Sequence, residues 1–140
     1  MRPLLTFISI VLLLGIENCN VKEEIDKLFI GVSGNVSENG EAVVGALVLL
    51  ITSPSIADGV MLSNGSITDA NGNYTIFNVD DGDYYVVAID DVNDNFQYDS
   101  DTDRFGFHGV DLTALNIDPD QITVAGEDVD NIDVTYLTGL

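Results

Sequence analysis

The sequence predicts an all-β fold, a Greek-key-like β-sandwich of about seven short strands, preceded by an N-terminal signal segment. Three observations carry this. From Phe29 onward no window sets apolar residues at the three-and-four spacing of an amphipathic helix. Runs rich in β-branched and aromatic residues recur instead, YYVVAID at 84–90 being the strongest. Asn, Asp and Gly punctuate these runs, as in ENGE, TDANGN and VDDGD. With 140 residues and 46% apolar composition, the chain suffices for one packed core and is not expected to be disordered.

Each element follows in order. FIGVSGNV at 29–36 reads as the first strand, ended by a turn around Asn39-Gly40. AVVGALVLLIT at 42–52 is apolar almost throughout, the pattern of a strand covered on both faces. A loop at 53–59 leads to a strand at 60–68, then a turn and the short strand YTIFNV at 74–79. In YYVVAID, Tyr84, Val86 and Ala88 share one face while Tyr85, Val87 and Ile89 share the other. Weaker segments follow at 105–110, 112–117 and 121–125. In the closing NIDVTYL, Ile132, Val134 and Tyr136 point inward, with Asp133 and Thr135 outward.

Before this domain, at 29–140, lie two other segments. Residues 1–19 read as an export signal: Arg2 supplies the positive start, and Leu4–Leu14 form an apolar run of eleven residues. A relaxed spanning helix needs about 20 apolar residues, so this run is too short to cross a bilayer. Cys19 follows closely, an arrangement that resembles a bacterial lipoprotein signal and implies lipidation at Cys19. Glu17 and Asn18 depart from the small residues that such a signal carries before its cysteine. Residues 20–28 then form a polar tether. The expected location is extracytoplasmic, in a bacterial cell envelope, with the membrane reached through the lipid anchor.

The formal net charge is -20, with Arg2, Lys22, Lys27 and Arg104 the only basic residues. Such a surface repels nucleic acid and anionic headgroups and attracts cations. A lone cysteine makes no internal disulfide.

The segment from Gly31 to Ile89 resembles the carboxypeptidase regulatory-like family, a prealbumin-like (transthyretin-like) β-sandwich. The residues that carry the likeness are Gly31, Gly45-Ala46-Leu47-Val48, Thr68-Asp69 with Gly72 and Tyr74, and Gly82-Asp83-Tyr84. Gly72 and Gly82 are read as positive-φ turn residues, and Tyr74 and Tyr84 as caps of the core near strand starts. The resemblance implies a non-catalytic appendage or stand-alone exported domain, similar in fold to some carbohydrate-binding modules.

The chemistry concentrates in DDVNDNFQYDSDTD at 90–103, six aspartates and two asparagines in fourteen residues. Asp91, Asn93, Asn95, Gln97 (through its carbonyl) and Asp99 fall on alternate residues, matching places 1, 3, 5, 7 and 9 of a Ca²⁺ loop. Thr102 stands at place 12 and cannot chelate like a bidentate acid, so Asp101 or Asp103 must serve. Phe96 stands where glycine is usual. Crowded carboxylates favour a cation, and the expected cofactor is a structural Ca²⁺. The plain alternative is an Asp/Asn-rich surface turn. Phe96, Tyr98, Phe105 and Phe107 are expected to pack as a satellite core, and the bolder reading makes Tyr98 and Phe105 a rim for stacking a sugar. His108, the one histidine, has no partners for a nucleophilic site or a zinc site. The expectation is a non-catalytic binding or structural domain with a Ca²⁺-stabilised loop. The alternatives are a carbohydrate-binding module, or a subunit of a cell-surface assembly with a surface protein or glycan as partner.

Overall fold

The computed structural model describes residues 29–57 and 65–139. The signal, Cys19, the tether and residues 60–64 of the expected strand 60–68 lie outside the described residues. The described chain is all-β, without a helix. Its strands are β1 (Gly31–Asn35), β2 (Ser37–Glu38), β3 (Glu41–Ala42), β4 (Leu47–Ile51), β5 (Ser66–Ile67), β6 (Asn73–Phe77), β7 (Gly82–Asp90), β8 (Arg104–Phe107) and β9 (Gln121–Val124).

Strand β7 organises the molecule because Val86–Ile89 are apolar on both faces and wholly buried. β4 pairs antiparallel along one edge of β7, from Leu47↔Ile89 to Ile51↔Tyr85. The other edge is shared in tandem: β8 takes Val87–Asp90 and β9 takes Gly82–Tyr85. β5 extends the sheet beyond β4. β1 and β6 form a second antiparallel sheet, and β2 and β3 form a small hairpin.

The alternation read from YYVVAID is the alternation observed. Val86 and Ala88, with Tyr84 beside them, join Val32, Val48, Ile76, Ile122 and Val134 in one core cluster. Val87 and Ile89, with Tyr85, join Leu47, Leu49, Tyr98 and Phe107 in another. Burying one such aliphatic side chain contributes about 1.5–3 kcal/mol, so β7 stabilises both layers at once.

A C-terminal strap, residues 129–138, replaces the regular last strand that the sequence suggested. It runs parallel to β1 through bridges at Val32↔Val129 and Val36↔Val134, then crosses to β8 through the antiparallel bridge Phe105↔Thr138. Asn131, at φ 62, takes up the extra residue between the two parallel bridges. Ile132 and Val134 are still buried and Asp133 and Thr135 exposed, as their alternation required. Two glycines let the strap come close. A Cβ on Gly34 would fall on the Ile132 carbonyl, and one on Gly106 would fall on the Tyr136 carbonyl.

Three local expectations change. The apolar run 42–52 is not one strand: a turn at Val44–Gly45 breaks it, with Gly45 at φ 79. Buried Thr68 bridges that break, its Oγ1 accepting from Ala46 N (2.9 Å) and donating to Val43 O (2.6 Å). Residues 112–117 are not a strand but belong to a tight loop closed by mutual Asp111–Asn116 backbone bonds of 2.9 Å. Gly72 is left-handed as expected (φ 79), whereas Gly82 is not; it opens β7 in extended form, packed beside the Tyr84 ring.

Candidate metal centre

The acidic loop leaves β7 at Asp90 and returns in β8 at Arg104, and these two residues are register partners. Arg104 clamps the neck with Nη2 donating to Asp90 Oδ2 at 2.6 Å, and it reaches Glu38 of the hairpin through Nη1, also at 2.6 Å. Arg104 is the sole Lys or Arg among the described residues.

Two buried side chains then fix the loop from beneath. Tyr98 is 4% exposed and packs edge-on against Phe105, ring centroids 5.7 Å apart. Phe105 meets Phe107 in the same manner at 5.9 Å. Asp103 is 2% exposed, and its carboxylate accepts from Val92 N (3.1 Å) and Asp99 N (2.9 Å). A carboxylate that accepts from two backbone amides eleven and four residues away is a strong local tie. Asp103 therefore staples the start of the loop to its end.

The oxygen-bearing residues sit above this base. Asp91 accepts from Asn95 N (3.3 Å) and Phe96 N (2.8 Å) through its two oxygens. Asn93 Oδ1 accepts from Asn95 N, and Asn95 Oδ1 from Gln97 N. Asp94 and Phe96 adopt left-handed φ values of 55 and 57. The sharp turn for which glycine is the usual residue is thus present, carried by Phe96 at a cost of about 1–2 kcal/mol. Both asparagine amides converge on one atom: Asn95 Nδ2 donates to Asp99 Oδ2 at 2.6 Å and Asn93 Nδ2 at 3.0 Å. Those two bonds, Asn93 first, hold the Asp99 carboxyl below its ordinary range.

The loop therefore brings Asp91, Asn93, Asn95 and Asp99 together. Asp101 is exposed on the far turn, Gln97 is half-buried, and the oxygens of Asp103 already serve backbone amides. Among the described residues no three His, Cys, Asp or Glu side chains converge as a metal group. The donor set is instead mixed, two carboxylates with two amides, which suits a hard oxygen-seeking ion held weakly. The sequence placed the alternate oxygens but missed the brace. Asp101 and Asp103 look alike in sequence, and only burial separates them.

The remaining sequence candidates lie elsewhere. Tyr98 presents no free ring face, and Phe105 is partly buried in the same cluster. Of the loop aromatics, Phe96 is the one that faces solvent, at 55% exposure. His108 Nδ1 lies 2.7 Å from the Asp133 carbonyl, which ties it to the strap. Burial, with Asp133 adding to it, pushes the Tyr74 phenol up, and this neutral hydroxyl donates to Ile132 O at 2.6 Å.

The chain matches no protein-family model and no curated protein.

Proposed function

We propose that the protein is a non-catalytic, exported and lipid-anchored domain whose loop 91–99 is ordered by Ca²⁺. One observation carries the calcium part: two asparagine amides are spent on a single carboxylate oxygen, Asp99 Oδ2, beside Asp91. A chain of net charge -20 gains more from a cation there than from two neutral amide donors. Asp91, Asn93, Asn95 and Asp99 would hold the ion, with the Gln97 carbonyl and Asp101 as further oxygens. Two converging carboxylates favour a weak site of the kind that fills in extracellular calcium. Asp103 and Tyr98 keep the donors in place without touching the ion.

The all-β architecture with glycine-led turns supports a prealbumin-like assignment, and the carboxypeptidase regulatory-like resemblance is proposed on that basis. Export and anchoring rest on residues 1–19. Mass spectrometry of the envelope-purified protein should find an acylated Cys19 at the mature N-terminus; an intact residue 1 opposes the anchor.

The calcium site is tested by thermal unfolding with excess CaCl₂ against EDTA. At tenfold over the dissociation constant, binding stabilises by about 1.4 kcal/mol. That is a rise of roughly 5 °C for a domain of this size. Asn95→Ala and Asp99→Asn should abolish the rise, and an unchanged midpoint in the parent protein refutes the site.

A second reading, a subunit of a surface assembly, is favoured by one feature. The edge of β6 away from β1 borders a groove of about 570 Å³, lined by Leu50, Ser66, Ile76, Phe77, Val79 and Tyr84. An added strand from another chain would pair there. Thr75 N on that edge now donates to Ser66 Oγ at 3.3 Å; proline at Thr75 would remove this amide while leaving the β1 side in register, and loss of co-purification with it, but not with Ser66→Ala, would support this reading.

A further inference from the structure

We infer that the protein carries a self-modifying residue: Asn39 converts to aspartate or isoaspartate by cyclisation onto Gly40, while the chemically identical Asn71-Gly72 pair is protected by the fold. Asparagine followed by glycine is the most reactive pairing for this chemistry, because glycine leaves its own amide nitrogen open to approach. The backbone nitrogen of Gly40 attacks Asn39 Cγ, and a new C–N bond closes a five-membered imide. The Cγ–Nδ2 bond breaks, and ammonia leaves with the proton given up by Gly40 N. Water then opens the imide at either carbonyl, leaving a carboxylate on the side chain or a backbone rerouted through Cγ. No redox partner is needed.

A third such pair, Asn64-Gly65, has its asparagine outside the described residues; the two described sites share the dipeptide and a positive glycine φ and differ in how their amides are engaged. Asn39 and Gly40 are the two exposed residues of the β2–β3 hairpin turn, at φ 53 and 82. Among the described residues, none bonds the Asn39 side chain or the Gly40 amide, and none lies within 4 Å of where a Gly40 Cβ would stand. At the other site the attacking nitrogen is occupied, since Gly72 N donates to Asp69 O at 3.0 Å. Asn71 O accepts from Asn35 Nδ2 (2.8 Å), Asn71 N donates to Asp69 Oδ1 (2.8 Å), and buried Gly72 packs against Val36 O. Two or three bonds must open before Gly72 N can reach Asn71 Cγ. Each net bond is a factor of roughly five, so Asn71 should react about ten- to a hundredfold more slowly.

The position of Asn39 gives the change a consequence. Glu38, its neighbour, holds Arg104 at 2.6 Å, and Glu41 faces Glu38 across the hairpin. A new carboxylate there adds a third acid to the turn and competes for Arg104. The rerouted form lengthens a two-residue turn that tolerates no extra atom.

The test ages the full-length protein in mildly alkaline buffer and maps both asparagines by peptide mass spectrometry. A parallel sample is kept in denaturant, where both pairs should react at similar rates. In the folded sample Asn39 should outpace Asn71 at least about tenfold. Asp69→Ala, which removes a bond to Asn71 N, should raise conversion at Asn71 and leave Asn39 unchanged. Equal rates in the folded protein overturn the inference. So does an intact Asn39 in folded samples while the denatured chain reacts.

Discussion

Replacing Gly106 with alanine should weaken the seam between β8 and the strap. The added Cβ would fall on the Tyr136 carbonyl oxygen and stand 3.1 Å from Val134 Cγ1, with backbone rather than a flexible tip in the way. Gly106 does not have a positive φ, so the alanine backbone itself is unstrained and the whole effect is steric. Two responses compete. A local shift of the strap costs about 1–3 kcal/mol, as overpacking does. Release of the strap from β8 exposes Val134 and Leu137, worth about 3–6 kcal/mol together. It also breaks the Phe105–Thr138 pair of bonds at 3.0 and 2.7 Å. The cheaper response sets the outcome, so the loss should be about 3 kcal/mol, a large share of the roughly 5–15 kcal/mol that a domain possesses. Urea denaturation reads this as a midpoint lowered by about 1–2 M. Gly126→Ala is the control, because Gly126 has φ 77 and open space around it, and so carries only the backbone strain of about 1–2 kcal/mol. Hydrogen exchange at Phe105 and Thr138 tells a shifted strap from a released one. A Gly106→Ala loss no larger than that of Gly126→Ala, with Thr138 protection unchanged, would refute the packing argument.

Two further outcomes follow from the loop and its neck. The Asp99 carboxyl titrates below the ordinary range, so its contribution is complete above the unfolded carboxylate value and is lost as pH falls through the depressed folded one. Asn93→Ala or Asn95→Ala should move the Asp99 titration, followed by NMR, upward toward the ordinary range; an unmoved titration contradicts the two amide bonds to Asp99 Oδ2. Arg104→Met should cost about 1 kcal/mol or less at low salt and less still at high salt, because its ion pairs are 27–35% exposed. A large, salt-insensitive loss would mean that packing of the Arg104 stem, rather than charge, holds the neck.

Much of this was legible in the residue order, and the exceptions share a physical cause. YYVVAID declared both of its faces because six apolar side chains in alternation admit one arrangement in a doubly covered strand. The oxygens of Asp91, Asn93, Asn95 and Asp99 were legible because metal loops and tight turns both demand them at alternate places. The break at Gly45 was hidden inside a run of valines, alanines and leucines, and Thr68, which mends it, lies 22 residues beyond the Ala46 amide that it accepts from. The strap was hidden for the same reason on a larger scale: its alternation was plain, but its partner strand and parallel sense are set by contacts 98 residues apart. Gly34 and Gly106 look like ordinary strand glycines until those carbonyls are seen above them. Tyr98 and Asp103 could be told from Phe96 and Asp101 only by burial, a tertiary property that local pattern does not encode.

The strap also dictates when the molecule can finish forming. Gly31 is tied to Asp128 and Asn35 to Asp133, contacts spanning 97 and 98 residues. The opening strand therefore stays incomplete until residues 128–133 arrive, and ordering so distant a pair is slow. A ribosome that still holds residues 128–138 keeps the described domain unlocked. Chains ending at Asp128 should remain loose and protease-sensitive, however intact the rest of their sequence.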